Sequence, residues 1–217
     1  MSFTEIVANG KKLNNLEKIE NIIFDLGGVI IDIDSQKTIE KLEALNKSGK
    51  PLVPRIENAE FLYQFERGEI SNQEFYQSIN NLLKIEQNHS LIREAWNSML
   101  LGIPQKRIEK LYQLRETFRI FLLSNTNSVH FLKLQDILDH TMGFNDFEKI
   151  FESTFYSHLI GKRKPDLGCY HYVINEMNLI ADKTLFVDDS LVNVEGARKA
   201  GLKSIQLVPG ADIIELF

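Results

Sequence analysis

Ile22-Ile23-Phe24-Asp25-Leu26-Gly27-Gly28-Val29 is the stretch on which the reading of this chain turns. Its β-branched and aromatic run is too short for an ordinary helix and suits a strand buried on both faces. The paired glycines end that strand in a tight turn, so Asp25 is delivered at its carboxyl end. The same grammar recurs. Arg119-Ile120-Phe121-Leu122-Leu123 runs into Ser124-Asn125-Thr126-Asn127, and Thr184-Leu185-Phe186-Val187 runs into Asp188-Asp189-Ser190. A further short run, Lys203-Ser204-Ile205-Gln206-Leu207-Val208, follows Gly201. Helical periodicities occupy 105–117, 128–140, 166–178 and 190–200. Strands alternating with helices predict right-handed crossovers and a parallel sheet, an α/β fold. Ligands of such sheets sit beyond the carboxyl ends of the strands, where Asp25, Ser124, Asp188 and Asp189 all fall.

Working outward, residues 36–100 show helical periodicity alone, with segments at Thr38–Asn46, Ala59–Glu66, Asn72–Leu83 and Leu91–Met99. Gly68 closes one of these helices, and Ser71 with Glu74 three residues on is a capping-box signature for the next. This block interrupts the α/β alternation directly after the first strand. It reads as an α-helical cap (36–100) inserted into a core made of residues 1–35 and 101–217. Residues 1–18 are polar and weakly patterned, which predicts an N-terminal arm or a short helix.

Composition bounds the partners. The 217 residues are 43% hydrophobic and 25% charged, with a formal net charge of −5. Such a chain buries a sizeable core, and its acidity argues against nucleic acid or an anionic membrane as partner. A small anionic substrate remains compatible, because one pocket can be locally positive. The single cysteine, Cys169, has no intramolecular disulfide partner, and beside Gly168 in a helical stretch it suits a buried filler. The first residues lack the apolar core of a signal peptide, and no apolar run approaches the roughly 18 residues of a membrane span. A cytoplasmic protein, monomeric or a small homo-oligomer, is the expectation.

Four strand-end or loop features carry chemistry. Asp25 beside two glycines can approach a substrate closely and serve as a carboxylate nucleophile, or it can cap the turn. Asp188 and Asp189 repel one another and call for compensation. A magnesium ion supplies it through hard oxygen ligands, while helix capping with Ser190 is the alternative. Ser124 with Asn125, Thr126 and Asn127 suits a phosphate corner at a helix start, or simple N-capping. Lys164, in Gly161-Lys162-Arg163-Lys164-Pro165-Asp166, can neutralise phosphate oxygens, or belong to a solvated basic loop. In the cap, Phe61, Phe65 and Trp96 suit core packing, Arg67 is a candidate pocket residue, and His158 reads as structural.

In this order and at these positions, the four motifs resemble the haloacid dehalogenase-like hydrolase superfamily. They are Phe24-Asp25-Leu26-Gly27-Gly28-Val29, Leu123-Ser124-Asn125-Thr126, Lys164-Pro165-Asp166 and Phe186-Val187-Asp188-Asp189-Ser190, trailed by Asn193, Gly196, Ala197 and Gly201. The resemblance spans about residues 20–210 and is nearest the branch that includes sugar-phosphate phosphatases such as glucose-1-phosphate phosphatase. It implies a Rossmann-like core with a helical cap and a magnesium-dependent phosphatase acting on a small phosphorylated metabolite. It further implies an aspartyl-phosphate at Asp25. Magnesium would be held by Asp25, Asp189 and the carbonyl of Gly27, with Asp188 acting through water or orienting Lys164. Ser124, Asn125 and Lys164 would take the phosphoryl group.

One departure matters. Phosphatases of this superfamily mostly carry a second aspartate two residues after the nucleophile, as general acid and base, and here that position is Gly27. General acid–base assistance is worth about 10²–10⁴ in rate. Substrates with good leaving groups, another acid (Asp32, Asp34 or Glu66), or a phosphorylated-ligand binding protein with little turnover each accommodate the loss. The dehalogenase branch also lacks that aspartate, but it gains nothing from the Asp188-Asp189 pair.

Overall fold

The computed structural model describes residues 16, 18–57 and 59–217, so the arm or helix expected over 1–18 lies almost wholly outside the described residues. The chain opens with β1 (Asn21–Phe24) and a two-residue strand β2 (Asp32–Ile33). Five helices follow: α1 (Ser35–Leu45), α2 (Val53–Ile56), α3 (Glu60–Glu66), α4 (Asn72–Leu83) and α5 (His89–Asn97). After β3 (Leu100–Gly102) the alternation resumes with α6 (Gln105–Arg115), β4 (Arg119–Ser124), α7 (Ser128–Asp139), α8 (Phe144–Glu148), β5 (Ser153–Tyr156), α9 (Ser157–Ile160) and α10 (Leu167–Glu176). It ends with β6 (Thr184–Asp188), α11 (Leu191–Lys199), β7 (Lys203–Gln206) and α12 (Ile213–Leu216).

The expected parallel sheet is present, with five strands in the order β5-β4-β1-β6-β7. The chain builds outward from β1 through β4 to β5, then returns to place β6 and β7 on the other side. The order therefore reverses at β1, and a crevice opens at its carboxyl end. Period-two alternation divides the strands between two apolar layers. Ile22, Phe24, Ile120, Leu122, Leu185 and Val187 pack on one face with Leu111, Leu134, Leu138 and Ile213. Ile23, Phe121, Leu123 and Phe186 pack on the other with Cys169, Tyr170, Val173 and Ala197. Cys169 is the buried filler expected, and burial pushes its thiol up to about 11.

The helices α1–α5 have an apolar cluster of their own, with Leu42, Phe65, Phe75, Ile79, Leu83 and Ile92 at its centre and Val129 of α7 joining it. Thr38 ties α1 to the end of α5 by donating to the carbonyls of Ala95 and Trp96 at 3.1 and 2.9 Å. The capping box at Ser71 and Glu74 forms as expected. Three strands escape sequence patterning. β2 and β3 are antiparallel partners of two and three residues at the base of the helical block, too short to show alternation. β5 is a half-polar edge strand. Short helices α2, α8, α9 and α12 are likewise too brief for a periodic signal. No helix among the described residues is long and apolar enough to cross a membrane.

Arg107 fastens the ribbon to the core. From α6 its guanidinium donates to Asp32 Oδ1 at 2.7 Å, Asp212 Oδ2 at 2.9 Å and the carbonyl of Ile30 at 3.2 Å, and the residue is buried. Truncation leaves a buried carbonyl and a partly buried carboxylate without their donor. Arg107→Ala is expected to destabilise by about 1–3 kcal/mol. Urea unfolding measures this, and an unchanged midpoint would refute the role.

Candidate active site

Three strand ends and one loop meet at the crevice. Asp25 follows β1, Ser124 ends β4, Asp188 ends β6, and Lys164 arrives from the loop before α10. Asn125 positions that loop: its Nδ2 donates to the Lys164 carbonyl at 2.8 Å, and its Oδ1 accepts from the Lys164 amide at 2.9 Å. Both ends of the Asn125 amide are thereby used, which leaves its backbone as the part free to meet a ligand. Lys164 is fully buried. Its Nζ lies 2.6 Å from Asp25 Oδ1 and 2.7 Å from Asp188 Oδ2, with the Phe186 ring 5.4 Å beneath. Pro165 immediately precedes the N-cap Asp166.

The two adjacent acids differ. Asp188 is fully buried and saturated, accepting from Lys164, from the Ser190 amide at 2.8 Å and from Asn193 Nδ2 at 3.0 Å. It orients the lysine. Asp189 is only partly buried and lines the cavity with Asp25. Gly28 makes this possible. Its φ of +70° favours glycine, and a Cβ there would stand 2.3 Å from Asp189 Oδ2.

The cluster is short of positive charge. Desolvation raises the pKa of Asp25 to about 7, with Asp188 and Asp189 adding to it and Lys164 only partly opposing it. Burial and then Asp188 raise that of Asp189. Burial opposes the charge on Lys164, but Asp188 and Asp25 outweigh it and hold the ammonium above its ordinary range. Asp25, Asp188 and Asp189 each offer an oxygen within 4.8 Å of the others. Three carboxylates facing one lysine, with hard oxygens so close together, fit a small divalent cation, which would reverse the upward shifts.

Asp25, Gly27, Ser124, Asn125, Lys164 and Asp189 line one cavity of about 160 Å³. It shares Met99, Asn125, Thr126 and His130 with an outer cavity of about 300 Å³ that extends under the helical block. A larger hollow of about 800 Å³, between α1, α4, α5 and α7, holds none of the acid cluster, so size does not mark the chemistry here.

The candidate replacement acids are occupied elsewhere. Asp32 pairs with Arg107, Asp34 caps α1 by accepting from the Gln36 amide, and Glu66 accepts from Arg163 Nε at 2.7 Å. None of them lines the inner cavity. Arg67 is paired with Glu60 and Glu69 and lines neither chamber. Phe65 lies in the core of the helical block, stacked on Phe75 at 4.2 Å, and Phe61 packs against the same cluster. Trp96 both joins that cluster and lines the outer cavity. His158 packs on Phe131, as a structural residue would.

Sequence reading missed His130, which lines both cavities. Its Nε2 lies 3.1 Å from the Trp96 carbonyl, so that nitrogen carries the proton, and Nδ1 faces Asn127 Nδ2 at 3.3 Å. Burial lowers its pKa to about 4, which keeps it neutral. The available signal was its place in the first turn of the helix that follows a strand-end serine.

A family model described as haloacid dehalogenase-like hydrolase matches residues 19–201. The chain belongs to the haloacid dehalogenase-like hydrolases. It is 26% identical to a D-ribitol-5-phosphate phosphatase of Bacteroides thetaiotaomicron, over 89% of this chain and 94% of that one. It is also 26% identical to the sesquiterpene phosphatase astK of Aspergillus oryzae, over 85% and 88% of the two chains. Among solved structures, a magnesium complex of a haloacid dehalogenase family enzyme from B. thetaiotaomicron superposes with a TM-score of 0.79 at 29% identity, covering 89% of this chain and 95% of the other.

The two glycines of the turn differ in what they tolerate. A Cβ at Gly27 would meet only Ile33 side-chain carbons at 3.6 and 3.7 Å, an ordinary contact. Gly28→Ala is therefore expected to destabilise by about 1–3 kcal/mol, and Gly27→Ala by less than about 1 kcal/mol. Denaturant midpoints compare them, and equal effects would show that Asp189 does not need the space above Gly28.

Proposed function

We propose that this hydrolase is a magnesium-dependent phosphatase acting on a small phosphorylated metabolite, with Asp25 as nucleophile. The observation that carries the reading is one buried ammonium held between Asp25 and Asp188, with Asp189 close enough to share a cation with Asp25. Asp25 and Asp189 would hold magnesium with the Gly27 carbonyl, and Asp188 would act from behind by fixing Lys164. The bound ion supplies charge neutralisation at the phosphoryl oxygens and keeps Asp25 ionised.

The protein's own groups account for the remaining steps. A carboxylate oxygen of Asp25 attacks phosphorus, and the bond from phosphorus to the ester oxygen breaks. Lys164 and Ser124 hold the transferring oxygens, together with the amides that follow Ser124. Water then attacks phosphorus in the acyl phosphate, releasing phosphate and restoring the carboxylate. The helical block of residues 36–100 serves as the cap that encloses the leaving group. The B. thetaiotaomicron relative, acting by its name on a polyol phosphate, supports a phosphorylated sugar or polyol as substrate class. A lone cysteine supports a cytoplasmic setting.

Asp25→Asn is expected to lower phosphatase kcat by at least about 10³-fold, since an amide is neither nucleophile nor anionic ligand. Chelation of the wild type is expected to abolish turnover, with magnesium restoring it. Substantial activity of the variant against p-nitrophenyl phosphate would remove Asp25 from the role.

Apart from Asp25, Asp189 and Lys164, the one titratable side chain lining the inner cavity among the described residues is His130, with both ring nitrogens engaged. The leaving group must then depart without a protein proton. Its pKa is expected to control the rate steeply, with aryl and acyl phosphates cleaved well and simple alkyl phosphates poorly. Gly27→Asp has room beside Ile33 and is expected to raise alkyl phosphate turnover by about 10–10²-fold. A plot of log kcat/KM against leaving-group pKa tests this. A flat wild-type line would mean that a group outside the inner cavity already donates the proton.

A further inference from the structure

The outer chamber carries information on the substrate that the strand ends do not. It is lined by Ile39, Ile56, Leu62, Trp96 and Met99, with Ser35, Thr38, Glu57 and Glu66 among them, and it opens into the inner cavity past Asn125, Thr126 and His130. Most of its polar atoms are already committed. Thr38 donates to backbone carbonyls, Asn125 clamps Lys164, and Asn127 caps α7.

What remains is acidic or hydroxylic. Glu57 forms no ion pair among the described residues. Glu66 gives one oxygen to Arg163, and its Oε1 is left over. The buried Trp96 Nε1 has no acceptor. Among the described residues no lysine or arginine lines the outer chamber, and the single cation of the inner one, Lys164, is engaged by Asp25, by Asp188 and, on the reading above, by the transferring phosphoryl group. Arg163 is held outside, between Glu66 and the Tyr63 ring 4.5 Å from its guanidinium.

An additional negative charge on the leaving group would therefore enter a space bordered by two carboxylates, the exposed Glu57 and the partly buried Glu66, with no free cation among the described residues. Such a like-charge juxtaposition disfavours binding. Neutral hydroxyls meet the opposite situation: the two carboxylates and the Ser35 and Thr126 hydroxyls accept from them, and the apolar wall takes a sugar's carbon face. Resting on the phosphatase reading above, we infer that the outer chamber selects monophosphates of neutral, hydroxyl-bearing alcohols and rejects phosphate esters that carry a second anionic group, with Glu57 the main source of the rejection. Sugar bisphosphates and phosphorylated sugar acids are thereby excluded.

The test uses a matched pair, sorbitol 6-phosphate and 6-phosphogluconate, which differ in a terminal alcohol against a carboxylate. Their Ki values as competitors of p-nitrophenyl phosphate hydrolysis, with magnesium, serve whether or not either is turned over. The neutral ester is expected to bind at least about tenfold more tightly. Glu57→Gln is expected to narrow that ratio severalfold, and Glu57→Lys to bring it to one or below. The ratio within one preparation does not depend on how much of a variant is folded. A wild-type ratio near one, failure of either variant to change it, or no competition by either sugar would each overturn the inference. If wild-type enzyme hydrolyses no p-nitrophenyl phosphate, the phosphatase reading falls instead, and the same ratio taken from calorimetric Kd values still decides the chamber's selectivity.

Discussion

Everything at the carboxyl edge of the sheet hangs on one buried ammonium shared by two carboxylates. Moving the charge of Lys164 out of water costs several kcal/mol, and only close, well-oriented partners repay it. Asp25 and Asp188 do so at 2.6 and 2.7 Å, which requires β1 and β6 to be neighbours in register. The lysine must also be threaded back across the edge, and this is the work of Asn125 at the end of β4. The order β4-β1-β6 is thus the condition under which the ion pair can exist.

The same network is built to be incomplete. Asp188 is saturated by Lys164, Ser190 and Asn193, so it behaves as a fixed part of the scaffold. Asp25 and Asp189 are left with more negative charge than the lysine answers, and the pKa values of both rise for want of it. Gly28 keeps Asp189 within reach of Asp25 at the expense of a backbone conformation that other residues resist. A site optimised for stability alone would have replaced one of these acids. The surplus suits a divalent cation, and on the proposed reading that cation in turn offsets the charge of the phosphoryl group.

How much of this could be read from the chain alone follows from how local each signal is. The strands β1, β4 and β6 announce themselves because each is a dense apolar run that stops at a polar turn, and the residues at those stops form the crevice. α4 was legible to its ends, since Ser71, Glu74 and the apolar period agree over one continuous segment. The ribbon of β2 and β3 was not, because its pairing joins Ile33 to Leu100 across the whole helical block. Arg107 looked like any surface arginine of a helix, and its three partners come from distant parts of the chain. His130 and the outer chamber were hidden for the same reason: they exist only where α1, α2, α3 and α5 meet the helix after β4.

That division has a consequence for how chemistry and selectivity are distributed. On the proposed reading, the atoms that handle phosphorus come from strand ends and are fixed by the register of a parallel sheet, where a shift of one residue would turn every side chain to the opposite face. The atoms that face the leaving group come from helices and their termini, outside the sheet's hydrogen-bond ladder. On that reading a change at Glu57 or Trp96 alters what may leave without disturbing what attacks. Gly27 sits at the boundary. It belongs to the strand-end turn, yet a side chain there would project beside Ile33, which lines the inner cavity at the edge of the helical block. A proton donor at that position would help poor leaving groups most. Without one, on the proposed reading, the burden of the first half of the reaction passes to the substrate, whose own leaving ability decides how fast the ester bond breaks once the outer chamber has admitted it.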